Sequence, residues 1–72
     1  MHITTHFNKV IILTDHEACY TVKIASCIGS VVYLGDVCSK KQRIVIYGLE
    51  CGEYEISVAA LHELYEKKVV IN

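Results

Sequence analysis

The residues best suited to acid–base chemistry are Asp15, His16 and Glu17, which directly follow the apolar run VIILT at 10–14. A loop after a buried strand is a common place for a general base. Such a base needs a nucleophile or an oxyanion-hole motif to serve, and the sequence has neither beside this cluster. A Gly-rich phosphate loop is also missing. We therefore interpret 15–17 as a polar turn and predict that the protein is not an enzyme.

The four histidines and four cysteines are numerous enough to form a zinc site. Structural zinc ligands usually come in pairs separated by two to four residues, and no such pair of cysteines occurs. His2 and His6 would lie about 13 Å apart along an expected strand. His16 and Cys19 form the only near pair with ligand-like spacing. We therefore expect no metal site and no cofactor.

The cysteines and the N-terminal segment bear on the cellular compartment. Cys19, Cys27, Cys38 and Cys51 show no paired spacing, although four cysteines would suffice for two disulfides. The segment MHITTHF lacks the apolar core of a secretory signal, and no run approaches the ~18 apolar residues of a membrane helix. The sequence predicts a cytoplasmic protein with reduced, mostly buried thiols and no membrane partner.

The composition predicts association with another macromolecule. A chain of 72 residues makes a single domain, 1–72, and buries only about 60% of its unfolded surface, so a large internal pocket is not expected. Hydrophobic residues make up 53% of the chain, and proline is absent. Such a content fills a core and leaves apolar surface over, which indicates a protein partner, a homodimer or both.

The charge distribution singles out one candidate binding face. The formal net charge of −1 argues against a nucleic-acid or membrane-surface binder held by bulk electrostatics. The basic run KKQR (40–43) nevertheless stands close in sequence to two tyrosines, whose apolar area and polar tip suit contact surfaces. The candidate binding residues are Lys40, Lys41, Arg43, Tyr33 and Tyr47. The alternative is a solvated turn beside tyrosines that pack within the sheet.

The elements that must position these residues are mostly strands. Apolar or alternating runs predict four strands before residue 40, at 2–7, 10–14, 19–28 and 31–34, with a hairpin turn at Gly29-Ser30. RIVIYGLE (43–50) and EYEISV (53–58) predict two more, joined by a turn at Cys51-Gly52.

The stretch AALHELYEKK (59–68) has helical spacing, with Leu61, Leu64 and Tyr65 as the inward stripe. A longer helix beginning at Cys51 is the alternative, but the β-branched residues before 59 favour a hairpin. The predicted fold class is therefore α+β: a small antiparallel sheet or partly open barrel of five to six strands with one C-terminal helix.

The apolar tail Val69-Val70-Ile71 is expected to form an edge strand or to reach into a second subunit as a homodimer contact.

The first half of the chain resembles the carbon storage regulator family, small β-rich dimers that bind messenger RNA. The likeness is carried by Met1, Ile3, Thr5, Ile12, TVKI (21–24), Gly29 and Leu34-Gly35, in the order strand, strand, strand, turn, strand. Thr4-Thr5-His6 stands where the family has Leu-x-Arg, and Ala59-Ala60 where an arginine follows the last strand. The resemblance implies an RNA-binding translational regulator acting as a homodimer, although these departures remove the residues that would contact RNA.

The runs VKIASCIGSVVYL (22–34) and IVIYG (44–48), with a closing helix, are similar to the histidine-containing phosphocarrier fold. This resemblance makes His16 the candidate phosphoryl acceptor. Glu17 follows it in place of the family's arginine, and the segment 33–43 is too short for that fold's middle helix.

Size, the lack of catalytic motifs and the apolar tail favour a small non-enzymatic binding protein. It would dock on a macromolecular partner, in the first place a protein, and regulate or inhibit that partner by steric occlusion through a sheet edge or the tyrosine–lysine face. The alternatives are the RNA-binding regulator and a divergent phosphocarrier-like domain. A phage or mobile element is a natural source for a small stand-alone regulator of this kind, an expectation that no residue of the sequence carries.

Overall fold

The computed structural model describes all 72 residues and contains seven strands and no helix. The strands are β1 (His2–His6), β2 (Lys9–Leu13), β3 (Cys19–Ser26), β4 (Val31–Cys38), β5 (Arg43–Ile46), β6 (Gly52–Ala60) and β7 (Glu63–Ile71). They form two antiparallel sheets, with strand orders β1-β2-β5 and β4-β3-β6-β7.

The inner faces of both sheets build one hydrophobic core. Along β3 and β6 every second side chain is buried, as the period of two requires for a strand with one face in the core. The buried apolar residues are Ile3, Val10, Ile12, Tyr20, Val22, Ile24, Ile44, Ile46, Leu49, Tyr54, Ile56, Val58, Val69 and Ile71. Six of the seven strands contribute to this set, and β4 contributes none.

The predicted α+β class is wrong, because the segment expected to be helical is a β-hairpin. Residues 59–68 form the end of β6, a turn at Leu61-His62 and the first part of β7. Leu61 and Leu64, which the helix would bury, are 90% and 65% exposed.

Residues 59–68 form a hairpin instead of a helix because residues 63–68 pair with β6. An isolated helix of ten residues is marginal unless its apolar stripe is buried. The same residues instead form a ladder with β6 that runs without interruption from Ala60↔Glu63 to Gly52↔Ile71. The β-branched tail extends the strand, so one long hairpin replaces the helix.

The strands predicted at 43–50 and 53–58 exist, but they do not pair with one another. β5 pairs with β2, whereas β6 lies between β3 and β7 in the other sheet. Loop residues 47–51 carry the chain from one sheet to the other. The expected hairpin is therefore wrong. The chain has seven strands, whereas five or six were predicted.

The C-terminal tail lies along the contact between the two sheets. Val69 and Ile71 are buried in the core, while Val70 points outward. The β7 side chain Lys67 donates from Nζ to the carbonyl oxygen of Ile3 in β1 at 2.8 Å. The tail thus forms an edge strand of its own sheet, and β1 lies against that edge.

Candidate functional site

The three predicted basic residues lie together, and the two predicted tyrosines lie elsewhere. Lys40, Lys41 and Arg43 are exposed on the turn between β4 and β5. Tyr47 is 71% exposed beyond the far end of β5, about 13 Å along the strand from Arg43. Tyr33 is half-buried and packs against the core. The five residues therefore form no single face.

The basic turn packs against the loop that holds the acid–base cluster. The Lys41 backbone N–H donates to Glu17 Oε1 at 2.6 Å, and Gln42 Nε2 donates to the Asp15 carbonyl oxygen at 2.8 Å. The N-terminal ammonium group donates to Asp15 Oδ1 at 2.9 Å. This hydrogen bond and the attraction between the two charges lower the pKa of Asp15 below its ordinary value. The surface here carries both signs of charge.

A shallow polar depression of about 520 Å³ lies between this loop and the basic turn. Its lining residues are His16, Glu17, Lys41 and Gln42. The depression has no serine, threonine or cysteine nucleophile, and no apolar wall to exclude water. It is a solvated polar surface. The chain also has no group of three or more His, Cys, Asp or Glu side chains placed to hold a metal ion.

The cysteines differ from the expectation of reduced, mostly buried thiols. All four are exposed. Cys19 and Cys38 lie directly opposite one another on β3 and β4 and form a disulfide. Cys27 and Cys51 are free. This disulfide was not predictable from spacing, because its two cysteines are 19 residues apart and meet only through the β3–β4 register.

A second groove, of about 590 Å³, lies at the ends of β3, β6 and β7. It contains the free thiol of Cys27 and charged side chains of both signs, including Lys23, Lys68 and Glu55. No buried polar side-chain atom lacks a hydrogen-bond partner anywhere in the chain. The groove therefore contains no unpaired buried group that would identify a class of ligand.

The most distinctive surface is the outer edge of β4. This strand pairs with β3 on one side and with no strand on the other. Lys40 and Arg43 exchange two backbone hydrogen bonds across the turn after it. Beyond that bridge β4 stays with β3 and β5 with β2, so the two strands separate into different sheets.

Three exposed apolar side chains lie close together on β4. Val31, Val32 and Leu34 are 51%, 48% and 65% exposed. A bulge opposite Ile24 and Ala25 interrupts the regular pairing near Val31. Asp36 is the only charged residue of the strand, and it accepts a hydrogen bond from Thr21 Oγ1 at 2.6 Å. The run VVYL, apolar at every position, was the available sequence signal for this surface.

Comparisons with protein families, with curated proteins and with solved structures found no match. The two resemblances therefore rest only on the residues quoted for them. The closing helix on which the phosphocarrier likeness depended is absent, since those residues form the β6–β7 hairpin. With no helix present, the chain also has no helical segment long and apolar enough to cross a membrane.

Proposed function

We propose that this chain is a non-enzymatic binding protein that captures an extended segment of a protein partner along the outer edge of β4. The bound segment would add a strand to the four-stranded sheet and become inaccessible to other molecules, so the partner is inhibited by steric occlusion. The observation that carries the proposal is the unpaired edge of β4, eight residues long, with three exposed apolar side chains.

The backbone of β4 supports strand addition. Hydrogen-bonding directions alternate along a strand, so half of the N–H and C=O groups of β4 point away from β3. None of the backbone hydrogen bonds outside the regular ladders involves residues 31–38. These groups are open to a new partner strand.

Edge strands of monomeric proteins usually carry features that prevent such pairing, chiefly lysine and proline. β4 has neither, and its protective features are limited to the bulge near Val31 and the single charge of Asp36. The opposite edge of the same sheet differs, because β7 lies against β1. Strand addition is therefore favoured at β4 over β7.

The side chains of β4 define the chemistry of the partner segment. Leu34 and the two exposed valines would contact apolar side chains, preferably β-branched ones, directly across the new strand pair. Asp36 would face a lysine or arginine near the end of the segment. RNA is less favoured, because the basic turn has Asp15 and Glu17 beside it and the β4 edge has no cation.

The proposal is tested by selecting displayed random peptides on the immobilised protein and measuring the affinity of the synthesised winners. We expect the winners to carry alternating apolar residues. The Leu34→Lys substitution should weaken their binding about tenfold or more, because it places a charge on the apolar contact. Backbone amide signals of residues 31–38 should shift when the peptide binds.

The matched control is Leu64→Lys on β7, because Leu64 has the same 65% exposure at the other edge of the same sheet. This variant should bind the peptides as the wild type does. Equal affinities for both variants would contradict docking at β4. Concentration-dependent dimerisation abolished by Leu34→Lys would instead identify a second copy of the chain as the occupant, and the heterologous partner would be wrong.

A further inference from the structure

β4 is the strand least secured by the core. It is the only strand with no residue among the buried apolar set, and its inward side chains Tyr33 and Val37 are only partly buried. Apart from this partial packing, β4 is held by three ties to β3. These are the backbone ladder, the bond between Thr21 and Asp36, and the Cys19–Cys38 disulfide.

The disulfide lies at the end of β4 that leads into the β4–β5 turn. Cys38 is the last residue of β4, and Cys19 is the first residue of β3. The next residue, Ser39, is held to Ala18 by its backbone N–H at 2.9 Å. At the other end of β4 the bulge already weakens the ladder. The covalent bond therefore secures the regular end of a strand whose opposite end is irregular.

Both sulfur-bearing residues are exposed on the outer face of the sheet. A thiolate can reach an exposed disulfide without prior unfolding, and accessible disulfides are the ones that exchange with external thiols. No other covalent bond joins β3 to β4. Reduction of this single bond would thus change how firmly β4 is held.

We propose that the Cys19–Cys38 disulfide is a redox-controlled tie that keeps β4 ordered, and that its reduction loosens β4 and weakens docking on its edge. The proposal rests on the proposed function for its second half only. A dithiol reductant attacks one sulfur, the Cys19–Cys38 bond breaks, and a mixed disulfide forms. The second thiol of the reductant then resolves it, which leaves both cysteines as thiols and the reductant as an oxidised disulfide, a transfer of two electrons.

The effect on docking follows from whether β4 is ordered before the partner segment binds. A strand that is already ordered offers its outward backbone groups in fixed positions, whereas a loosened strand must be ordered when the partner binds. The oxidised protein is therefore the binding form. The reduced protein keeps its core, because β4 contributes no buried apolar residue to it.

The test uses the Cys27→Ser/Cys51→Ser variant, which retains only the Cys19–Cys38 pair and removes competing thiol exchange. Amide hydrogen exchange is measured with the protein oxidised, reduced with dithiothreitol, and reoxidised. Reduction should speed exchange of the β4 amides that donate to β3 about tenfold, with much smaller changes in β6 and β7, and reoxidation should restore the slow rates. The β4-selected peptides should bind the reduced form about tenfold more weakly.

A second variant, Cys19→Thr/Cys38→Thr, gives the untied state without a reductant and keeps β-favouring side chains at both positions. It should show the same fast β4 exchange whatever the redox condition. Unchanged β4 exchange on reduction would overturn the tie, as would equal acceleration in every strand. If reduction speeds β4 exchange but the peptides bind neither the oxidised nor the reduced protein, the tie is supported and the proposed function is overturned. The two failures are therefore distinguishable.

Discussion

The carbonyl oxygen of His16 is the best-connected polar atom of the loop before β3. It accepts hydrogen bonds from Thr14 Oγ1 at 2.9 Å, Ser39 Oγ at 3.1 Å and Tyr20 Oη at 3.2 Å. Thr14, Ser39 and Tyr20 are buried, so each hydroxyl needs a partner to offset its lost hydration. One backbone oxygen thereby joins this loop to β3 and to the residues that directly follow β2 and β4.

Ser39→Ala is expected to lower the free energy of unfolding by about 1–2 kcal/mol, because the Ser39 hydroxyl both donates to His16 and accepts from the Ala18 N–H. Urea denaturation of the purified variant measures the change. The control is Ser57→Ala, since the Ser57 hydroxyl makes only an exposed 3.4 Å bond to Glu66. A loss at Ser57 as large as that at Ser39 would contradict the role assigned to the loop network.

At the scale of the element, the turn between β4 and β5 is conformationally costly. Lys41 and Gln42 both have positive φ, 55° and 60°, which non-glycine residues adopt infrequently. Positive φ at both central residues is the signature of a type I′ turn, for which Asn-Gly is preferred. The chain uses lysine and glutamine instead, whose backbone N–H and side-chain amide contact Glu17 and Asp15.

Lys41→Asn is expected to raise the free energy of unfolding by about 0.5 kcal/mol, since asparagine tolerates the left-handed region better and keeps the backbone N–H that binds Glu17. The control is Lys40→Asn, because Lys40 does not have positive φ and its replacement offers no such gain. Thermal unfolding of the two variants side by side measures the difference. Equal stabilities of the Lys41→Asn and Lys40→Asn variants would show that the positive φ of Lys41 does not cost stability.

At the scale of the whole molecule, the two sheets meet along β1 and β7. The lysine at position 67 points inward between Tyr65 and Val69, where strand alternation would place an apolar residue. Its ammonium group reaches the Ile3 carbonyl oxygen at 2.8 Å and is partly buried. A charged donor therefore joins two strands that share no regular ladder.

Lys67→Met keeps the aliphatic length of the side chain and removes the charged donor, so it is expected to cost about 1–2 kcal/mol of unfolding free energy. Lys68→Met is the matched control, since the adjacent residue faces solvent on the other side of the same strand. Denaturant melts of both variants give the comparison. A cost at residue 68 equal to that at 67 would show that the Ile3 contact does not stabilise the assembly of the two sheets.

Much of the strand content was predictable because alternation is a local property. The buried faces of β1, β3 and β6 follow directly from Ile3, from Tyr20, Val22 and Ile24, and from Tyr54, Ile56 and Val58. The candidate site was less predictable. Lys40, Lys41 and Arg43 are close together in the chain and lie on one turn. Tyr33 lies within β4 and Tyr47 beyond the far end of β5, so neither joins them.

The sequence by itself determined where most strands lie and which of their faces are apolar, since both depend on residue type and a period of two. Tertiary structure alone decided that 59–68 pairs with β6 as a strand, that Cys19 meets Cys38, and that β4 is left with an open edge. Each of these depends on which strands become neighbours. Strand pairing is set by backbone hydrogen bonds and by burial between segments distant in the chain, neither of which a local pattern contains.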